Sequence, residues 1–416
     1  MLRRQFGRVV IAGLPAAGLL ATQEASPAAA ASTLTTLAAN WQALTPSSDI
    51  TGKADTAAIA SALAGLPDGG SLWLAPGLWY VNGPIVPKPG QRISGLHGAN
   101  QSGDGAAQGY GTVIKAVGSS WPATNGVSGV FSYTSALGQG EITDLWIDCS
   151  KFTGTSLCGV AAAGAVNAIS PRNVGVYRAP SHGFLLAPDQ AAPPNLPDGW
   201  YLDTCLAQTC GGDGFSGHYV DATLMNCHAQ TCSGDGFMMT GSNTKLIGCR
   251  GDLCTNGFTI DVAGGGGYND ATVLTGCGTQ RNQQSGLNVT NSSAVGNSDR
   301  DPVIVDGCTF GGDGRNGGTG GGYLGGIRVR GRNIVMIGSA SVTVDSFSGE
   351  ALCPAYGLSV GPIGTGSAEP ILVTMGAGLL NGATSPYHNN TTTTSFQLSS
   401  GVFGATGYRP TSVTGL

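Results

Sequence analysis

The sequence between Asp203 and Ile260 repeats itself every 22 residues. Cysteines show this period twice, and leucines and Gly-Phe pairs follow it at the same or nearly the same interval. The repeated positions are Leu202, Leu224 and Leu246; Cys205, Cys227 and Cys249; Cys210, Cys232 and Cys254; and Gly214-Phe215, Gly236-Phe237 and Gly257-Phe258. A constant period of this length is typical of stacked structural units, each of which buries its apolar side against the next. The repeat therefore predicts a solenoid.

The composition indicates that the repeating units are made of strands. Glycine supplies 70 of the 416 residues, and only 10% of the residues are charged. Such a chain is too rich in glycine for a helical protein, and its 41% hydrophobic content is too high for disorder. Short apolar runs between Gly-rich turns predict an all-β fold. The net charge of −5 argues against a nucleic-acid partner, and no segment after the N-terminus is apolar for long enough to span a membrane.

The first 31 residues have the pattern of an export signal. A basic start with Arg3-Arg4 precedes an apolar stretch from Val9 to Ala21, and small residues from Ser26 to Ser32 resemble a cleavage region. The paired arginines resemble a twin-arginine signal, a type that exports folded proteins. We therefore expect residues 1–31 to be a signal peptide and the protein to be secreted or extracellular in a bacterium. An ordinary secretory signal, or a chance apolar leader on an intracellular protein, is the alternative.

The cysteines are predicted to form buried columns. The chain has 11 of them, so an exported protein keeps at least one thiol unpaired. Identical residues one coil apart stack about 4.8 Å from each other. Free cysteine packs as a small hydrophobe, although this spacing would also permit disulfides. We favour ladders of free thiols. A zinc site is not predicted, because Cys-x4-Cys lacks the closer spacing of structural zinc ligands.

The chain before and after the regular repeat divides into further segments. Residues 32–50 are polar and are predicted to be a linker or arm. Asp55 to Pro67 is predicted to be one helix, with Asp55 or Thr56 capping its start. Residues 51–361 form the coil stack, and 362–416 break its register, which predicts a short β-rich tail that covers the last coil or joins subunits. Other strands are predicted at 71–74, 78–81, 91–94, 140–148, 174–177, 183–186, 326–330, 333–337 and 357–360.

The segment that enters the repeat resembles a known superfamily. Its residues are Asp55-Thr-Ala-Ala-Ile59, Gly69-Gly-Ser-Leu-Trp-Leu-Ala-Pro-Gly77 and Ile93-Ser-Gly-Leu-His-Gly98. They are similar to the entry segment of the pectate-lyase-like right-handed parallel β-helices, which include polygalacturonase-like hydrolases, polysaccharide lyases and phage tailspikes. The resemblance covers about residues 50–360. It implies a right-handed parallel β-helix of about ten coils with an N-terminal helix that caps the stack.

Two aspartates of the repeat are candidates for catalysis. Asp213 and Asp235 lie in two copies of Gly-Asp-Gly-Phe, which places their backbones about 4.8 Å apart on adjacent coils. Repulsion between two such carboxylates raises one pKa and lowers the other, as a general acid beside a base or nucleophile requires. The alternative is structural, because Asp before Gly at a coil corner stabilises the turn through hydrogen bonds to the backbone.

The resemblance to polygalacturonases is incomplete at this pair. That family carries Gly-Asp-Asp on one coil and Gly-His-Gly on a later one. Asp213 and Asp235 match the first Asp, but Gly214 and Gly236 occupy the second position, and Asn256 stands where the histidine is expected. Arg328-Val-Arg330 resembles the Arg-Ile-Lys of the family but lies several coils later. Polygalacturonase activity is therefore not predicted.

Other polar residues of these coils are candidates for substrate binding. They are His218, Asp203 and Asp261, which we expect to share a groove with Asp252. For His218 and His228, the alternative is that each is an ordinary surface histidine without a functional role. No metal or cofactor is expected, because the one loop that resembles a calcium-binding array, Gly311 to Gly322, occurs as a single copy.

The sequence thus predicts a secreted polysaccharide-active enzyme, either a glycoside hydrolase or a polysaccharide lyase. Its ligand would be an extended glycan in a groove of the β-helix, an expectation that rests on analogy with the superfamily. The alternative is a non-catalytic glycan-binding surface protein or a tailspike-like receptor-binding protein. A structural solenoid without a ligand is a third possibility. A homo-oligomer such as a trimer is compatible with each of them.

Overall fold

A computed structural model describes most of the chain as strands in parallel sheets. It describes residues 34–96, 111–123, 126–133, 140–163, 168–187, 199–218, 221–241, 243–262, 271–291, 302–314, 325–343, 345–347, 350–352, 354–362, 369–382, 384–392 and 394–404. The predicted signal peptide at residues 1–31 lies outside this part. Successive coils pair in parallel throughout the repeat, which is consistent with the predicted right-handed β-helix.

Each coil of the regular repeat consists of three short strands. In one coil these are Tyr201–Asp203, Leu206–Gln208 and Phe215–His218. Each of these strands forms one outer surface of the stack together with its equivalents on the other coils. In chain order, we call these surfaces the first, second and third face. Phe215 pairs with Phe237 on the next coil, which is the register that the 22-residue period predicts.

The first and second faces belong to one sheet of 21 strands. Its strands are Leu34–Ala38, Trp41–Leu44, Ser71–Leu74, Gly77–Val81, Arg92–Ser94, Thr112–Gly118, Gly140–Phe152, Ile169–Tyr177, Tyr201–Asp203, Leu206–Gln208, Thr223–Met225, His228–Gln230, Lys245–Ile247, Arg250–Asp252, Thr272–Thr275, Gly278–Gln280, Pro302–Asp306, Cys308–Gly311, Ile334–Thr343, Leu372–Leu380 and Ser395–Gly404. The longer strands run across the corner between the two faces. Gly140–Phe152, for example, pairs with Arg92–Ser94 on the first face and with Thr112–Gly118 on the second.

The third face is a separate sheet of ten strands. They are Ser128–Tyr133, Leu157–Ala163, Phe184–Ala187, Phe215–His218, Phe237–Thr240, Phe258–Asp261, Leu287–Thr290, Gly325–Arg330, Tyr356–Gly361 and Ser385–Asn389. A separate antiparallel pair is formed by Asp345–Phe347 and Glu350–Leu352.

Phenylalanines form a stacked column inside the coils. Phe184, Phe215, Phe237 and Phe258 lie one above the other, with ring centroids 4.8 Å apart at each step. Their side chains are 0% exposed. The spacing of the rings equals the distance between neighbouring strands, so the column fixes the register of the coils. These phenylalanines belong to the apolar side that the repeat was predicted to bury.

Cysteines line the corner between the first and second strands of each coil. The residue before each of these cysteines has a left-handed backbone, with φ of 54° at Thr204 and at Asn226. The Cys249 thiol donates to the carbonyl of Leu224 on the preceding coil, at 3.2 Å. The thiols thus link adjacent coils as weak donors.

The predicted ladder of free thiols is confirmed. The described residues include ten cysteines, all of which are buried and free, whereas Cys353 lies outside them. Burial raises the pKa of the Cys227 and Cys249 thiols well above the usual value. Because the thiolate is the reactive form, these side chains are held in their unreactive state.

The predicted helix is present but begins earlier than expected. It spans Lys53–Gly65 and buries Ile59 and Leu63. Gly52 is its N-cap and makes no side-chain hydrogen bond. The prediction that Asp55 or Thr56 caps the helix is wrong. The buried carboxylate of Asp55 accepts hydrogen bonds from the backbone of Ser47 and Tyr80, and the Thr56 hydroxyl accepts one from the backbone of Asn82.

The helix packs against the strands Trp41–Leu44 and Gly77–Val81. The first of these strands belongs to the segment that was expected to be a linker or arm, yet it pairs in parallel with Ser71–Leu74. The chain therefore enters the sheet before the helix. That the helix caps the stack stays a prediction.

The segment after residue 361 adds strands to both sheets. Leu372–Leu380 pairs in parallel with Ile334–Thr343, and Ser395–Gly404 pairs with Leu372–Leu380 in turn. The strand Ser385–Asn389 extends the third face. The coil pattern thus continues through the described part of the predicted tail, whose role as a cap or an oligomerisation segment stays a prediction. No helix among the described residues is long and apolar enough to cross a membrane.

Candidate functional site

Asp213 and Asp235 lie at the corner that leads into the third face, and their side chains form a ladder along the coils. The carboxylate of Asp213 accepts from the backbone N–H of Asp235 at 2.8 Å. Asp235 in turn accepts from the backbone N–H of Asn256 at 3.0 Å. Asn256 continues the ladder by accepting from the backbone N–H of Ser285 at 3.1 Å. Each side chain therefore stabilises the corner of the following coil, as the structural interpretation of these aspartates expects.

The two carboxyl groups have pKa values shifted in opposite directions. Burial opposes ionisation of Asp213, but its contact with His182 and hydrogen bonds from Ser216 and from the Asp235 backbone lower its pKa. The Ser216 hydroxyl donates to this carboxylate at 2.7 Å. Burial raises the pKa of Asp235, and the nearby charge of Asp213 adds to the effect. The directions of the two shifts agree with the prediction, but burial and hydrogen bonding contribute more to them than repulsion between the carboxylates does.

The pair also borders the outer surface of the third face. Phe215 points into the core, so Ser216 points outward on the same strand. The Asp213 carboxylate is bound to that outward hydroxyl, and its side chain remains 17% exposed. A ligand on the third face would therefore pass beside two carboxyl groups: that of Asp213, whose pKa is lowered, and that of Asp235, whose pKa is raised.

Asp261 lies on the outer surface of the third face. Phe258 and Ile260 are in the core, which places Thr259 and Asp261 on the opposite side of the strand. Asp261 is only 7% exposed, so this surface is sheltered. In the same column, two coils earlier, is His218, whose side chain lies outside the described part of the structure.

One arginine on this surface, Arg328, has no partner among the residues that the structure describes. Arg328 pairs in register with Asn288, an outward residue of the preceding coil. Its Nε atom is buried without a hydrogen bond, and Arg328 forms no ion pair with any described residue. Arg330 lies on the same strand, where its Nε donates to the carbonyl of Pro362 at 3.2 Å, and burial lowers its pKa. In the sequence, these two arginines stand out only because they resemble the Arg-Ile-Lys of the polygalacturonases, although they lie several coils later.

Asp203 and Asp252 lie on other faces and do not share a groove with Asp261. Asp203 lines a groove of about 470 Å³ on the first face together with Arg172. Asp252 lies on the second face, where its carboxylate is 3.0 Å from His228 Nε2 and 2.6 Å from Arg250 Nε. The three aspartates follow one another along the chain, but each belongs to a different strand of its coil.

Asp313 is a buried carboxyl that sequence reasoning missed. It is 1% exposed and accepts hydrogen bonds from the Thr279 hydroxyl at 2.6 Å and the Asn282 backbone at 3.0 Å. Burial raises its pKa to about 7 despite these bonds. The folded protein therefore keeps a proton on Asp313 at pH values where the unfolded chain has lost it.

We expect this carboxyl to make the protein less stable as the pH rises from about 4 to about 7. One such group changes the free energy of unfolding by up to about 1.4 kcal/mol per pH unit. Asp313→Asn keeps an oxygen that accepts from Asn282 and removes the titration, so its stability should vary less over this range. Urea midpoints of both proteins at several pH values measure the difference. The matched variant at the exposed surface, Asp68→Asn, should follow the wild type; a wild-type profile for Asp313→Asn would contradict the assignment.

No group of three or more His, Cys, Asp or Glu side chains in the described segments is arranged to hold a metal ion. The Gly-rich loop at Gly311 to Gly322 lies only partly within those segments.

Comparisons with known proteins identify the fold. No protein-family model and no curated protein matches the sequence. The A-module of a mannuronan C-5 epimerase from Azotobacter vinelandii is 17% identical, with a TM-score of 0.53 over 85% of this chain and 95% of that one. Pre-mature gene product 12 of bacteriophage phi29 is 14% identical, with a TM-score of 0.55 over 84% of this chain and 50% of that one. Both are parallel β-helix proteins, so the predicted parallel β-helix fold is confirmed.

Proposed function

We propose that the protein acts on an extended anionic polysaccharide that lies along the third face. The unpaired Arg328 carries this proposal. A buried N–H without a partner, such as the Nε–H of Arg328, is costly. Because the side chain as a whole is only half-buried, its other guanidinium N–H groups can bind a carboxylate or sulfate group of a ligand. Arginine binds such groups through two parallel hydrogen bonds.

The spacing of the coils lets one ligand reach both Arg328 and the aspartate corner. Strands of a parallel sheet are about 4.8 Å apart. Three steps separate the strand after Asp235 from the strand that contains Arg328, which corresponds to about 14 Å. A glycan parallel to the helix axis would cover this distance with a few sugar units and would pass Asp261 and Asn288 on its way.

The two similar structures give support by analogy. The name of the epimerase states that it acts on mannuronan, and this chain covers nearly all of its A-module. The phage protein covers a comparable share of this chain with a similar score. A polysaccharide is thus compatible with a fold of this kind, but the choice of an anionic one rests on Arg328.

The finer proposal is a hydrolase or lyase in which Asp213 and Asp235 are the reacting pair. Asp235, with its raised pKa, would supply a proton, and the ionised Asp213 would serve as base or nucleophile. The second candidate is a glycan-binding protein without turnover. It is favoured by one observation, namely that both carboxylates already accept backbone hydrogen bonds from the next coil. Export through residues 1–31 and assembly into oligomers belong to the proposal as well.

Arg328→Ala is expected to weaken binding of an anionic glycan by about 10- to 100-fold, the usual range for one charge-assisted hydrogen-bond pair. The measurement is calorimetric titration of the full chain with oligomers of polygalacturonate, alginate and chondroitin sulfate. Arg178→Ala removes the same charge from an exposed arginine that stacks on Tyr177 and should leave the affinity within about twofold.

Two results would contradict the proposal. One is an equal loss of affinity in Arg328→Ala and Arg178→Ala, which would mean that only net charge matters. The other is that no anionic oligomer binds the wild-type protein. Arg328→Lys adds a further check, because lysine keeps the charge but cannot form the bidentate pair, so it should recover only part of the affinity.

A further inference from the structure

We propose a second saccharide-binding site on the first face, built around Tyr201 and Arg172 and suited to a neutral sugar chain. This site goes beyond the proposed function, because it lies on a different sheet from Arg328. It also gives the groove that contains Asp203 a role.

Two adjoining grooves form the site. One, of about 380 Å³, is lined by Arg92, Glu141, Arg172 and Tyr201. The other, of about 470 Å³, is lined by Asp144, Asn173 and Asp203 and again by Arg172. Both volumes fall within the range of about 300–1,000 Å³ that is common for small-molecule sites. Because Arg172 belongs to both grooves, a ligand longer than one sugar unit would occupy them together.

The charged side chains of the first groove are held in place by one another. Glu141 contacts Arg172 and lies 3.4 Å from the Nε of Arg92. Its side chain is 19% exposed, whereas those of Arg92 and Arg172 are 67% and 52% exposed. One carboxylate thus orients two guanidinium groups, which keep further N–H donors for a ligand.

The second groove is fixed in a similar way and presents acceptors. The Asn173 side-chain amide donates to the Asp144 carboxylate at 2.7 Å. The Thr204 hydroxyl donates to the Asp203 carboxylate at 2.9 Å. Each carboxylate has one further oxygen and additional lone pairs. The site therefore offers donors at one end and acceptors at the other.

This arrangement fits a polyhydroxylated ligand better than an anionic one. Every sugar hydroxyl both donates and accepts, so it can bind either end of the site. Carboxylates outnumber guanidinium groups by three to two along the grooves, which disfavours a polyanion. The two guanidinium groups of this site are already paired with Glu141, whereas Arg328 on the third face has no ion-pair partner among the described residues.

Tyr201 supplies a flat, amphipathic surface of the kind that packs against a sugar ring. The aromatic position is specific to this coil, because the equivalent residues on the next two coils are Thr223 and Lys245. The groove therefore has a defined end, and the exposed Lys245 provides a matched control.

The test is calorimetric titration of the full chain with three neutral probes, cellohexaose, xylohexaose and maltohexaose. At least one should bind, and Tyr201→Ala and Arg172→Ala should each weaken its binding by about 10-fold. Tyr201→Phe keeps the ring and should stay within about threefold of the wild type. Lys245→Ala and Arg328→Ala should bind the neutral probe as the wild type does. Melting curves establish that each variant is folded.

Two outcomes would overturn the second site: no binding of any neutral probe, or binding that Tyr201→Ala and Arg172→Ala leave unchanged. Loss of neutral binding in Arg328→Ala would place the neutral probe on the third face and would also overturn it. These results are independent of the proposed function, which fails instead if anionic binding does not depend on Arg328.

Discussion

Phe237→Ala is expected to lower the free energy of unfolding by about 3–5 kcal/mol. The ring is 0% exposed and lies between Phe215 and Phe258, 4.8 Å from each. Its removal leaves a cavity in the middle of the column, which the rigid coils on either side cannot fill. In a solenoid the loss is concentrated at the two interfaces next to the altered coil, because each coil contacts only its neighbours.

Urea denaturation, together with amide hydrogen exchange of residues 215–258, measures this effect. Ile247→Ala is the matched control, since it removes an aliphatic side chain that is 40% exposed on a neighbouring coil. It should cost less than about 1 kcal/mol. Phe237→Leu keeps most of the volume and loses the stacking, so its cost should lie between the two. A Phe237→Ala protein as stable as Ile247→Ala would show that the column does not hold the coils together.

The double variant Asp213→Asn and Asp235→Asn is expected to reduce turnover of the polysaccharide by about 10²- to 10⁴-fold, the usual contribution of general acid–base catalysis. An asparagine already occupies an equivalent position in the structure. Asn256 occupies the next position of the same ladder and accepts a backbone hydrogen bond through its side-chain oxygen. The two new asparagines can do the same, so the corner should stay folded while the carboxylates are lost.

Release of reducing ends and of unsaturated products reports turnover, and the two readouts distinguish a hydrolase from a lyase. Asp68→Asn is the control, because it removes a carboxylate from the exposed surface, away from the pair; it should leave turnover within a few-fold of wild type. Full turnover in the double variant would assign Asp213 and Asp235 to the corner alone. Glycan binding without any turnover in the wild type would favour the second candidate function.

Much of the fold could be predicted from the sequence because stacked coils repeat their neighbours. The period of the cysteines and phenylalanines gave the register, and the strands predicted at 71–74 and 326–330 are found at Ser71–Leu74 and Gly325–Arg330. The inward columns followed from the same reasoning, since a residue that recurs every coil either packs in the core or is exposed at every coil.

The division of residues among faces could not be predicted, because several corners lack a usual turn residue. Thr204, Thr209 and Leu253 adopt left-handed backbones with φ between 54° and 58°. Such conformations are uncommon for residues other than glycine, asparagine and aspartate. Without these bends, Asp203 and Asp261 were expected in one groove, although they lie on different faces of the stack.

The unpaired state of Arg328 was also beyond the sequence. A motif can mark an arginine, but whether it has a partner depends on side chains from coils that are distant along the chain. The same limit applies to Asp313, whose partners Thr279 and Asn282 come from the preceding coil. Whether a side chain is buried or paired depends on the neighbouring coils, whereas the period of the repeat is visible in the sequence itself.

The most direct test of the account is a crystal structure of the protein with a bound anionic hexasaccharide, chosen as the tightest binder in the titrations. The account predicts that the sugar chain lies along the third face, parallel to the helix axis, with a carboxylate or sulfate group within hydrogen-bonding distance of the Arg328 guanidinium. A hexasaccharide bound elsewhere, with Arg328 still unpaired, would contradict it.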